Sequence, residues 1–189
     1  MRIISGNFRG KRINAPANLP ARPTTDFAKE ALFNVLNNQF YLDEISVLDL
    51  FSGIGSISLE FASRGSQRIV SVDQDTGCVK FLAETAKDLK IEDQISVHKY
   101  DVFQFLKRNT QGSFDVIFAD PPFAFETEDY LKLAELIQEN NWLNPDGQLI
   151  MEHSKSHKFE AHPNFIQTRK YGNVNFSFFE MRENSEEEI

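Results

Sequence analysis

The chain has 189 residues, 41% hydrophobic and 25% charged, an ordinary globular composition that can bury about 70% of its unfolded surface without covalent staples. Its single cysteine, Cys78, excludes an internal disulfide. No apolar run approaches the roughly 20 residues of a membrane span, and Met1–Gly10 lacks the apolar stretch of a secretory signal, so the expected location is cytoplasmic. The net charge of −8 argues against a generic polyanion binder. The charge is uneven, however: Arg2, Arg9, Lys11, Arg12 and Arg22 give residues 1–25 a local +5, leaving −13 on the rest. A basic arm on an acidic body is one footprint of nucleic-acid binding, and also that of a merely solvated hairpin.

In chain order, residues 2–13 read as a short hairpin turning at Gly10, followed by a connector carrying Pro16, Pro20 and Pro23. Phe27, Ala28, Ala31, Leu32, Val35 and Leu36 recur at one-turn spacing, with Thr25 or Asp26 as cap. The apolar run Ile45–Phe51 reads as a strand leading into the loop Ser52-Gly53-Ile54-Gly55, and a helix Ser56–Arg64 stops at Gly65. Then come strand Arg68–Asp73, helix Thr76–Lys90, strand Ile95–Tyr100, helix Val102–Arg108 and strand Phe114–Ala119. A Pro-Pro break precedes helix Tyr130–Asn140. The turn Asn144–Gly147 precedes strand Gln148–His153, and a hairpin pairs Phe165–Tyr171 with Val174–Met181. Five strands alternating with helices predict an α/β, doubly wound, mostly parallel sheet, with antiparallel character at one edge. The expected organisation is a basic segment over 1–25, one α/β domain over 26–181 and an acidic tail over 182–189.

Ligands of such sheets sit beyond the carboxyl ends of the strands. Asp49, Phe51, Ser52, Gly53 and Gly55 stand at the end of the first, where glycine lets the backbone approach a ligand. The loop lacks the third glycine of a dinucleotide fingerprint. A carboxylate at Asp49 opposes a pyrophosphate and suits a cation such as S-adenosylmethionine, which has a sulfonium, an ammonium and no phosphate. Asp73, 20 residues after Gly53, is placed to accept both hydroxyls of a ribose, and Asp101 with the Val102 amide to meet an adenine. For Asp73 and Asp101 the competing role is a helix N-cap.

The fourth strand runs directly into Asp120-Pro121-Pro122-Phe123. Two prolines fix the backbone and remove two amide donors, so the adjoining carbonyls are expected to face outward unpaired. The Asp120 carboxylate and the Pro121 carbonyl can converge on one amino group beside the flat face of Phe123. An exocyclic base amine is a poor nucleophile because its lone pair is delocalised. Two acceptors on its hydrogens favour a pyramidal nitrogen and aim the lone pair at an electrophile. A stacked ring holds the base, worth about 1–3 kcal/mol. The competing role is a plain turn with Phe123 in the core.

Together, Asp49-Leu50-Phe51-Ser52-Gly53-Ile54-Gly55, Asp73 and Asp120–Phe123 resemble class I S-adenosylmethionine-dependent methyltransferases acting on amino groups. Met1–Gly6, Arg9-Gly10, Arg22-Pro23-Thr24-Thr25-Asp26, Glu30–Asn34 and Tyr171-Gly172 narrow the likeness. The chain is similar to the RsmD family, which methylates N2 of a guanine in small-subunit ribosomal RNA. The resemblance implies a seven-stranded, Rossmann-like sheet whose last strand is antiparallel, no metal, and a substrate presented in an assembled or assembling small subunit. It further implies that Arg22–Asp26, Thr24 included, close over cofactor and base while Arg9, Lys11 and Arg12 grip phosphates, with the target guanine leaving its stack. Phe123 stands where the family often has Tyr, Phe27 and Lys29 where arginines are common, and Ser52 where alanine is commoner.

His153, His157 and His162 invite a metal reading, but their spacing matches no strong motif. Cys78 reads as a packing residue. A monomer is expected. Amino methylation of adenine N6 in DNA or RNA, or of a protein glutamine, remains open on the chemistry motif alone. So do a nicotinamide-dependent oxidoreductase, disfavoured by Asp49 and the glycine pattern, and a non-catalytic RNA-binding scaffold.

Overall fold

In the computed structural model, which describes residues 1–20 and 24–180, seven strands form one sheet in the order β3-β2-β1-β4-β5-β7-β6. The strands are β1 Ser46–Leu50, β2 Arg68–Asp73, β3 Ile95–Lys99, β4 Phe114–Ala119, β5 Leu143–His153, β6 Phe165–Tyr171 and β7 Val174–Glu180. The first five pair in parallel; β7 inserts antiparallel between β5 and β6. The order reverses at β1, so β1 and its neighbours β2 and β4 flank the crevice where such sheets bind ligands. The expected acidic tail and Arg22 lie outside the described residues.

Helices α1 Asp26–Leu36, α2 Ser56–Ser63, α3 Thr76–Leu89, α4 Val102–Leu106 and α5 Thr127–Glu139 cover the two faces. Strand alternation assigns each residue to a face. Val47, Phe118 and Ile150 pack in one core with Leu32, Phe33, Phe61 and Leu82, whereas Leu48, Leu50, Ile117 and Met151 pack in the other with Leu106, Leu133 and Trp142.

Two elements start three or more residues earlier than expected. α5 begins three residues before Tyr130 because the Asp129 carboxylate reaches back to accept from the Glu126 amide while the Asp129 amide donates to the Glu126 carbonyl, closing the first turn. β5 starts at Leu143, which pairs with Phe114; the pairing then jumps to Gln148 opposite Val116, and the expected Asn144–Gly147 turn bulges out between.

The N-terminal hairpin reduces to a single bridge, Arg2 with Arg12. Its two arms stay joined by backbone hydrogen bonds, Ile3 N–H to the Lys11 carbonyl, Gly10 N–H to the Ile3 carbonyl and Ile13 N–H to the Met1 carbonyl, while its side chains reach the body of the protein. Ile3 and Ile13 enter the first core. The backbone amides of Ile4 and Ser5 donate to Glu60 Oε2 and Oε1 at 2.9 and 3.0 Å. Asn7 and Phe8 donate to the Ser63 carbonyl and hydroxyl. At Gly6 the backbone has φ +79°, and a Cβ there would lie 1.8 Å from the Ser63 carbonyl oxygen. Only glycine can bring the chain this close to α2. Lys29 and Glu60, 1% and 0% exposed, form an ion pair of 3.4 Å beneath this turn, and Lys29 Nζ also donates to the Arg2 carbonyl at 2.7 Å. Lys29 thus holds the N-terminal segment from inside, and Phe27, exposed, meets Tyr171 edge-on.

Candidate active site

A cleft of about 910 Å³ opens along the carboxyl ends of β1, β2, β4 and β5. Asp49, Phe51, Ser52, Gly53, Asp73, Asp101, Val102, Asp120, Pro121, Pro122 and Phe123 all line it. Gly55 does not itself line the cleft; it is the N-cap of α2, with φ +81° and Leu82 directly behind it.

Asp73 ends β2. Its Oδ2 accepts from the Gly53 amide and its Oδ1 from the Asp75 amide, both at 2.8 Å. The loop and the carboxylate therefore fix each other, and each oxygen keeps a lone pair for a ligand. Asp75 rather than Asp73 caps α3, through the Cys78 amide. Asp101 does cap α4, accepting from Gln104, yet stands exposed at the cleft rim with the Val102 amide beside it at the first turn. Phe51 has a left-handed backbone (φ +59°), an unusual state for a bulky residue. It directs its ring onto Phe125, which stacks on Phe103. The Ser52 hydroxyl is buried with no partner among the described residues.

Asp49 lies within β1, on the face that meets α2, and accepts from the Ser58 amide and hydroxyl at 3.1 and 2.5 Å. Burial pushes its carboxyl up to about 7. Asp120 sits on the same face, one residue past β4. Burial foremost, then the nearby Glu152 and Asp49, raises its carboxyl well above the usual range. Its carboxylate accepts no hydrogen bond from the described residues. Of the two motif carbonyls, Pro122 accepts from the Phe125 amide at 3.0 Å. The expectation of two outward carbonyls is corrected to one, because Pro122 starts the turn that returns Phe125 to the core; the Pro121 carbonyl stays open. Phe123 is 83% exposed at the mouth rather than in the core.

Sequence reasoning passed over Glu152 as a site residue. It lies in β5 on the Asp49 side of the sheet, 9% exposed, and accepts from the Thr24 hydroxyl at 3.3 Å across 128 residues of sequence. Thr24 is therefore buried in the cleft wall, apart from the exposed Arg9, Lys11 and Arg12. The only sequence signal for Glu152 was an acid inside an apolar strand. Tyr130, also in the wall, has its hydroxyl pushed well above the usual phenol range, mainly by burial and then by Asp120 and Glu152. The histidines serve packing: His153 bonds Ser177 and Ser154, His157 bonds Thr127, and His162 accepts from the Asn164 amide.

A family model described as conserved hypothetical protein 95 matches residues 1–180. YlbH of Bacillus subtilis is 34% identical over 190 residues, covering 96% of this chain and 100% of that one. The ribosomal RNA small subunit methyltransferase D of Haemophilus influenzae is 34% identical over 157 residues, 82% of this chain and 79% of its own. The chain belongs to the RsmD family. Among solved structures, YhhF of Escherichia coli superposes with a TM-score of 0.80 at 26% identity, covering 95% of this chain and 97% of that one. The match of the family model includes the N-terminal segment, so the clamp built by Lys29 and Glu60 falls within the family's span.

Proposed function

We propose that this chain transfers the methyl group of S-adenosylmethionine to the exocyclic N2 amine of a guanine in small-subunit ribosomal RNA, presented in an assembled or assembling subunit. The observation that carries it is the open pair of acceptors, the Asp120 carboxylate and the Pro121 carbonyl, beside the exposed ring of Phe123 in a cleft that also holds Asp73. The residues present fit the cofactor: Asp73 keeps lone pairs for a ribose, the orphaned Ser52 hydroxyl awaits a polar partner, and the buried Asp49 carboxyl favours a cation. When bound, S-adenosylmethionine supplies a methyl group on a positively charged sulfur.

The chain's own residues then do the positioning. Phe123 stacks on the flipped base. Asp120 and the Pro121 carbonyl each accept one N2 hydrogen, which turns the nitrogen lone pair toward the methyl carbon. As the nitrogen–carbon bond forms and the carbon–sulfur bond breaks, the amine sheds a proton. Asp120, whose carboxyl is already raised, is placed to take it. Arg9, Lys11 and Arg12 supply phosphate contacts that position the RNA without reading it.

The test supplies labelled S-adenosylmethionine and small subunits from a strain lacking its own enzyme, followed by nucleoside analysis. N2-methylguanosine is expected. A labelled N6-methyladenosine or methylglutamine would favour the second reading, amino methylation of another target. A protein of Methanocaldococcus jannaschii named for glutamine N5 methylation is 35% identical over 95 residues, half of this chain, so that reading leaves the other half unaccounted for.

A further inference from the structure

We infer that Glu152 is the specificity-determining residue of this cleft, accepting the N1–H of the guanine whose N2 amine is held by Asp120. The inference rests on the function proposed above and adds the means by which the base is chosen.

Ala119 of β4 pairs with Met151 of β5. The next residue on each strand is a carboxylic acid, so Asp120 and Glu152 stand side by side at the same sheet edge and on the same face. Both line the cleft. Glu152 Oε2 accepts from Thr24; Oε1 accepts nothing from the described residues. A buried carboxyl with a free oxygen costs stability unless something satisfies it. Among the described residues no basic side chain does so: their ion pairs are Arg2–Asp26, Lys29–Glu60 and Arg64–Glu60. The free oxygen is therefore built for a donor that arrives with the substrate.

Guanine presents N1–H and N2–H₂ as adjacent donors, matching two adjacent acids. Adenine presents its amine beside a bare N1 lone pair, which a carboxylate repels. The same mismatch arises with 2-aminopurine, which keeps guanine's N2 amine but has no hydrogen on N1. Asp120 alone tolerates any of these amines; Glu152 beside it, in the ionised form it takes above about pH 7, accepts only guanine. A site built to hydrogen-bond a substrate group rejects the analogue lacking it far more strongly than an apolar pocket could.

The experiment uses the full chain and small subunits reconstituted with RNA carrying guanine or 2-aminopurine at the methylated position, located first by nucleoside mapping. The wild type is expected to prefer guanine by at least about 100-fold in kcat/KM. Glu152→Gln preserves size, and Glu152→Ala removes both oxygens. Each is expected to bind S-adenosylhomocysteine as the wild type does. For each, the preference should shrink to about tenfold or less, mostly through loss on guanine. An equal loss on both bases, an undiminished preference in the variants, or weakened S-adenosylhomocysteine binding would overturn the inference and leave the proposed function intact. Failure of the wild type to make N2-methylguanosine on guanine subunits would overturn the proposed function and this inference with it.

Discussion

Asp73 and Asp120 end the two strands that flank β1, and their surroundings separate their work. Asp73 is held by two backbone amides and Asp120 by none, and the proposed function gives the first to the cofactor and the second to the base. Hydrogen bonds to a charged acceptor contribute roughly 1.5–3 kcal/mol. Asp73→Ala is therefore expected to weaken S-adenosylhomocysteine binding by about 10- to 150-fold in calorimetry. Asp120→Ala should leave that affinity within about twofold and lower kcat by 100-fold or more. Equal loss of cofactor binding in both would contradict the division. Both acids were legible from their places at strand ends. Glu152 was not, because its meaning comes from β5 lying beside β4 and from Thr24, contacts that sequence distance conceals.

Among the elements, the N-terminal segment departs most from its sequence appearance. Its charge suggests a loose basic arm, yet Glu60 on α2 ties it down by accepting two backbone amides and pairing with Lys29 and Arg64. Removing one partner of a buried pair strands the other and costs about 3–5 kcal/mol. Glu60→Ala should lose stability of that order in urea denaturation, and the segment should become protease-sensitive. Lys29→Met, which removes charge but keeps bulk, still leaves Glu60 paired with Arg64 and should cost less. An unchanged denaturation midpoint in Glu60→Ala would mean that the clamp contributes nothing. The amphipathic pattern of α1 could not announce this clamp. Lys29 occupies a core-facing position, where a lysine looks like an error until its partner on another helix is seen.

Two expectations belong to the whole molecule. The first concerns pH: Asp49 and Glu152 are raised from 3.8 and 4.5 to about 7 by burial. The folded chain keeps protons that the unfolded chain has released, so stability falls as pH rises from about 4 through about 7 and stays lower above. Measured without cofactor, the fall in Tm between pH 5 and pH 8 should be smaller in Asp49→Asn than in the wild type, by the equivalent of a few kcal/mol. An identical slope would show that Asp49 keeps an ordinary carboxyl. The second concerns salt. RNA affinity should fall steeply with ionic strength, the log–log slope losing about 0.7–0.9 for each of Arg9, Lys11 and Arg12 replaced by Ala, as each phosphate contact is lost. An unchanged slope would remove them from the interface.

The sequence by itself determined the order of strands and helices along the chain, the doubly wound, mostly parallel sheet implied by their alternation, and the motif residues at the strand ends. Hydrophobic periodicity and turn chemistry are local, and ligand sites in this architecture follow from strand ends. Only the tertiary structure decided what is non-local: which proline carbonyl stays open, that β7 inserts between β5 and β6, and that three carboxyls share one buried face. Those depend on desolvation and strand register, which arise when segments far apart in the chain are brought together.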